Sequence, residues 1–119
     1  MCYETDAMIA QARVRYLRMT PRKVDHVLKQ LRKRSVAEAL RVLASTNRRA
    51  ATPVAKAIAS AFANARAKQP TLREEEVLIS RVFANEGPTW KRFRAAAFGR
   101  AAPILKRTTH LTVELDTRS

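Results

Sequence analysis

The chain has 119 residues, with 24 Lys and Arg against 10 Asp and Glu, so its formal net charge is +14. That length suits a single domain spanning 1–119 around one core and leaves no room for a separate catalytic domain. Such an excess of cations is foreign to an ordinary soluble enzyme and makes nucleic acid the leading partner.

No apolar run approaches the roughly 18 residues that cross a bilayer, and the basic residues are spread along the chain instead of gathered on one amphipathic helix, so no membrane partner is expected. The opening Met1-Cys2-Tyr3-Glu4-Thr5-Asp6 resembles neither a secretion signal nor an Arg-rich organellar leader. Cys2 has no second cysteine for an internal disulfide or a metal site, which fits a reducing, cytoplasmic setting.

Ala12-Arg13-Val14-Arg15-Tyr16 alternates small or apolar with basic residues, the pattern of a half-buried strand with Arg13 and Arg15 outward. Thr20-Pro21 then offers a cap and a first-turn proline, and Val24, Val27, Leu28 and Leu31 recur at helical spacing. A helix of about three turns is expected, with Arg22 and Lys23 on its polar side. Ser35-Val36-Ala37-Glu38 reads as a capping box for a second helix through Leu40 and Leu43.

A third, Ala-rich helix is expected from a cap near Thr46-Asn47, with Val54, Ile58, Ala61, Phe62 and Ala65 as its apolar stripe. Pro53 either kinks it or marks a fresh start with Thr52 as cap. Arg66 to Glu76 reads as a loop. Val77 to Ala84 reads as a strand whose inward face the pattern leaves open, and Leu111, Val113 and Leu115 alternate with polar neighbours in a final strand. Segregated helices and strands argue α+β: three helices packed on a small three-stranded antiparallel sheet.

Between the last two strands, Gly87 to His110 holds six Lys and Arg and no acid. Pro88 and Pro103 lie symmetrically about a centre between Ala95 and Ala96, which suggests two strands leaving the sheet together as a long protruding β-hairpin at about 87–106. Trp90, Phe93 and Phe98 are interleaved with Lys91, Arg92, Arg94 and Arg100. Bases or guanidinium planes stack on such rings; alternatively, Trp90 and Phe93 pack where the arm departs. A bare ribbon is marginal in water, so an anionic partner is expected to hold it.

No catalytic constellation is visible. His26 and His110 stand far apart without companions at metal-ligand spacing, and two glycines, Gly87 and Gly99, are too few for a phosphate-cradling loop. No cofactor, metal or small-molecule substrate is expected.

Tyr16 to Val24 (Tyr-Leu-Arg-Met-Thr-Pro-Arg-Lys-Val), Ser60 to Ala65 (Ser-Ala-Phe-Ala-Asn-Ala), Asn85 to Phe93 (Asn-Glu-Gly-Pro-Thr-Trp-Lys-Arg-Phe), Gly99-Arg100-Ala101 and Lys106 to Val113 (Lys-Arg-Thr-Thr-His-Leu-Thr-Val) closely resemble the large-subunit ribosomal protein L-twenty-two family. The likeness runs from about Ala12 to Leu115. It implies a domain on the outer surface of the large subunit, bound to ribosomal RNA beside neighbouring ribosomal proteins, that takes part early in subunit assembly. It also implies a hairpin that lines the nascent-peptide exit tunnel. Carried onto this chain, the hairpin legs are Gly87 to Arg94 and Arg100 to Lys106, and the tip, where a nascent peptide would pass, is Ala95, Ala96, Ala97, Phe98 and Gly99. Proline and basic residues are usual around that tip, and an acid is frequent where Asn85 and Ala102 stand.

The RNA-binding set expected is Arg13, Arg15, Arg18, Arg22, Lys23, Lys91, Arg92, Arg94, Arg100, Lys106 and Arg107. A basic architectural DNA-binding protein, with the arm as a β-ribbon in a groove, is the alternative that composition supports.

Overall fold

In the computed structural model, which describes residues 9–95 and 97–117, three α-helices accompany five strands. In chain order these are β1 (Ala10–Leu17), α1 (Pro21–Leu28), α2 (Val36–Ser45), α3 (Ala51–Lys68), β2 (Val77–Glu86), β3 (Trp90–Ala95), β4 (Ala101–Lys106) and β5 (Thr109–Thr117). The expected α+β class holds, but the strands divide between two sheets: an antiparallel sheet in the order β1-β5-β2 and a separate antiparallel pair β3-β4. Gly87-Pro88-Thr89 separates them, and a proline there has no N–H with which to carry the ladder on.

Local chemistry sets the helix ends. Thr20 Oγ1 accepts from the Lys23 N–H at 3.4 Å with Pro21 opening α1, and Ser35 Oγ accepts from the Glu38 N–H at 3.3 Å to open α2. α1 stops at Leu28, short of three turns, because the backbone that follows is taken up by β2. Lys33 N–H donates to Ile79 O at 3.1 Å and Ile79 N–H donates to Arg34 O at 2.9 Å. Leu31 is still fully buried, delivered by that turn and not by the helix.

α3 begins at Ala51, with Ala50 before it and no side-chain cap. Thr46 is not its cap, since its hydroxyl donates back to Val42 O at 2.6 Å and closes α2. Nor does Thr52 start the helix. Pro53 lies in the first turn, where an N–H would lack an intrahelical partner anyway, so the proline removes no hydrogen bond.

The buried stripes of the helices meet the inward side of the three-stranded sheet in one core. Leu111, Val113 and Leu115 of the central strand are fully buried there with Val24, Val36, Val54 and Ile58. A register shift between Ile79 and Arg81 explains the ambiguous face of β2: Val77 and Ile79 point inward, and after the bulge Val82 does so. A second shift, between Val14 and Leu17, ends the alternation of β1 and leaves Tyr16 at φ 59° and 55% exposed. Along the free edge of β1, Asn64 Nδ2 donates to Gln11 O at 3.0 Å and Lys68 Nζ to Ile9 O at 2.9 Å, so α3 covers that edge.

The β3-β4 register pairs Trp90 with Lys106, Phe93 with Pro103 and Ala95 with Ala101. Its centre is therefore Phe98, and Pro103 faces Phe93 and has no symmetric counterpart in Pro88. Ala97 to Arg100 forms the turn, with φ 60° at Phe98, φ 71° at Gly99 and Arg100 N–H donating to Ala97 O at 3.5 Å. Two positive φ values in succession match the twist of a hairpin. The radius of gyration, 17.5 Å, exceeds the about 13.5 Å of a compact chain this long, because the ribbon extends one axis to 64 Å.

Candidate nucleic-acid interface

The root of the ribbon is a small, fully bonded junction. Gly87 N–H donates to Thr108 O at 2.9 Å, and Thr108 Oγ1 donates to Pro88 O at 2.5 Å. Thr109 Oγ1 donates to Met19 O at 2.6 Å, which ties β5 to the chain leaving β1. Both threonines are fully buried. A Cβ on Gly87 would lie 2.7 Å from Thr108 Oγ1 and 3.2 Å from the His110 ring, so only glycine lets the two chains approach this closely. The His110 ring meets that of Tyr16 edge-on at 5.2 Å, and its Nδ1 accepts the Tyr16 N–H at 3.3 Å.

Beside this junction the domain and the ribbon enclose a groove of about 810 Å³. Six cations line it: Arg18 and Lys23 around the start of α1, Arg48 and Arg49 before α3, and Lys106 and Arg107 at the end of β4. No acid does. The Arg18 guanidinium stacks 4.4 Å above the Trp90 ring, a cation–π contact that positions one wall. Among the described residues, the ion pairs are Arg32–Asp25 at 3.7 Å and Arg81–Glu114 at 3.8 Å, and neither belongs to the groove. Its charge is thus uncompensated by any acid of the groove, and a concave site of one sign attracts charge of the other.

The sequence profile described as Ribosomal protein L22p/L17e matches residues 12–116. The chain belongs to the ribosomal protein L22p/L17e family. Large ribosomal subunit protein uL22 of Pediococcus pentosaceus is 48% identical to it over 104 residues, covering 87% of each chain. The segments that carried the likeness converge in space: Glu86-Gly87-Pro88 and Thr108-Thr109-His110 form the root junction, and Asn64 secures α3 to β1.

The expected RNA-binding residues occupy three zones. Arg18, Lys23, Lys106 and Arg107 line the groove; Lys91, Arg92, Arg94 and Arg100 are exposed along the ribbon; Arg13 and Arg15 are exposed on β1, and Arg22 is exposed in α1 without lining the groove. Of the tip residues, Ala95 is the last of β3, paired with Ala101, while Ala97, Phe98 and Gly99 form the turn; Ala96 and Cys2 lie outside the described residues.

Sequence reasoning missed Arg48 and Arg49. Their signal was an adjacent Arg pair after Asn47, between two helices and with no acid near it, but a helix expected from Thr46 placed them inside a regular element. Packing at the root holds for Trp90, which stacks under Arg18, whereas Phe93 is left 69% exposed. His26 is exposed, and among the described residues no group of three His, Cys, Asp or Glu is gathered to hold a metal. No helix among them is long and apolar enough to cross a membrane.

Proposed function

We propose that this chain is a structural, non-catalytic constituent of the large ribosomal subunit in the cytoplasm. It acts as one domain that binds ribosomal RNA and carries an arm at about residues 87–106. The observation that carries this reading is the six-cation, acid-free groove opening onto a ribbon that has no core of its own. Folded RNA supplies what both lack: phosphates for the groove and a surface to order the ribbon. Arg18, Lys23, Arg48, Arg49, Lys106 and Arg107 contact backbone at the root, and Arg92, Arg94 and Arg100 do so along the arm. Neighbouring ribosomal proteins complete the surroundings, and the chain joins the subunit early in its assembly.

The turn at Ala97 to Gly99 lines the nascent-peptide exit tunnel. Phe98 is 99% exposed and held at φ 60°, an apolar ring presented outward at the far end of the molecule. Sucrose-gradient fractionation of a cell extract tests the whole reading. Nearly all of the protein should sediment with the large subunit and leave it only when ribosomal RNA is digested. A pool bound mostly to the nucleoid would establish the architectural DNA-binding role instead.

A further inference from the structure

The β3-β4 register sorts the ribbon's side chains onto two unlike faces. Residues opposite each other in an antiparallel pair share a face, and neighbours along a strand alternate. One face therefore carries Trp90, Arg92 and Arg94 with Lys106; the Trp90 ring there is already covered by the Arg18 guanidinium, and the apolar Ile104 opposite Arg92 is half-buried. The other carries Phe93 opposite Pro103 and Lys91 opposite Leu105. Here the apolar surface is open, with Phe93 69% and Leu105 49% exposed.

Leu105 of this face lines the six-cation groove beside Lys106 of the other, so the groove adjoins both faces where the ribbon leaves the domain. An occupant of this face must offer flat apolar surface and negative charge together. Lys91 stands on the face itself, and no acid occurs anywhere from Gly87 to His110. An apolar protein segment would bury Lys91 without a partner. An unpaired nucleotide supplies a ring to stack and a phosphate for the lysine.

We propose that Phe93 and Pro103 form a stacking platform for unpaired bases of a ribosomal-RNA segment whose phosphates continue into the groove. Arg92 and Arg94 hold RNA backbone on the opposite face. The ribbon thus contacts RNA by two chemistries, bases stacked beside the Lys91 phosphate contact on one side and backbone phosphates alone on the other. This rests on the RNA-binding reading above and assigns its contacts to faces.

The test measures binding of the full-length chain to a large-subunit ribosomal RNA transcript across a salt series, together with chemical probing of base edges in the complex. Phe93→Ala should weaken binding roughly 5- to 150-fold, the range for losing one stacked base, with the salt slope unchanged. A short run of unpaired bases should become reactive, and Phe93→Trp should restore both affinity and protection. Arg92→Ala with Arg94→Ala should instead lower the salt slope by about one to two, at about 0.7 to 0.9 per phosphate lost, and leave those bases protected. Phe93 is exposed and outside the core, so an unchanged unfolding midpoint will verify that Phe93→Ala is folded.

Unchanged affinity and base reactivity in Phe93→Ala would overturn the platform while leaving the RNA reading intact. So would loss of a neighbouring ribosomal protein from the Phe93→Ala subunit with RNA contacts preserved. Failure of the unaltered chain to bind the transcript would overturn both.

Discussion

The chain builds antiparallel pairing twice and supports it in opposite ways. In the three-stranded sheet, β5 is flanked on both sides, and Leu111, Val113 and Leu115 are sealed beneath the helices. In the β3-β4 ribbon both strands have an open edge, and no residue of β3 is buried. The hydrogen-bonding pattern is the same; what covers it differs. Burial by helices makes the first sheet part of a self-sufficient core, whereas an isolated two-stranded ribbon is marginal in water. The composition follows this division. Apolar residues fill the inward positions of the sheet, whereas Lys91, Arg92, Arg94, Arg100 and Lys106 leave the ribbon basic and exposed, as the proposed RNA contact requires.

The largest expected effect lies in the sheet. Leu111→Ala removes a fully buried side chain from the central strand and should cost about 2–5 kcal/mol in urea unfolding. A loss much below that range would mean the sheet is not sealed as described. The junction between the two regions comes next. Gly87→Ala places a methyl 2.7 Å from Thr108 Oγ1, whose own bond to Pro88 O holds the arm's root, so neither group can yield freely. Overpacking of this kind costs about 1–3 kcal/mol. The arm's direction should change with it, read as a loss of RNA affinity that exceeds the loss of stability. A neutral Gly87→Ala would show that the root tolerates looser packing than its bonds suggest.

Much of the sheet and its helices was legible in the residues, because there local pattern and tertiary environment agree. Thr20-Pro21 and Ser35 cap helices where they stand, and the 111, 113, 115 alternation is the core strand. Reading failed where the backbone departs from regular period. Bulges after Ile79 and Val14 shift the inward phase of β2 and expose Tyr16, and alternation alone does not show an inserted residue. Hydroxyls misled in a similar way: Thr46 has the chemistry of a cap but spends its donor on Val42 O.

The arm was visible as an acid-free basic run, yet its centre was misplaced by the spacing of Pro88 and Pro103, since only Pro103 lies in the ribbon. Turn chemistry at Phe98-Gly99 fixed the register instead. Arg48 and Arg49 belong to the groove only because tertiary folding carries the α2–α3 connection beside residues 105–107, and no local pattern reports that proximity.

The smallest expected effect is the most discriminating between the two sheets. Trp90 and Lys106 are directly paired, so the whole ribbon can be replaced by an Asn-Gly turn joining Thr89 to Arg107 without moving either end. The Gly87–Thr108 and Thr108–Pro88 bonds lie outside the excised segment and should persist. What is removed includes exposed pairing and the Arg18–Trp90 stack, an exposed contact that is worth little while the solvent can reach Arg18. The unfolding free energy of the trimmed chain should therefore stay within about 1 kcal/mol of the parent, while its incorporation into large subunits falls sharply. A substantial loss of stability would show that the ribbon supports the domain, and the contrast between a self-held sheet and an RNA-held one would fail at its base.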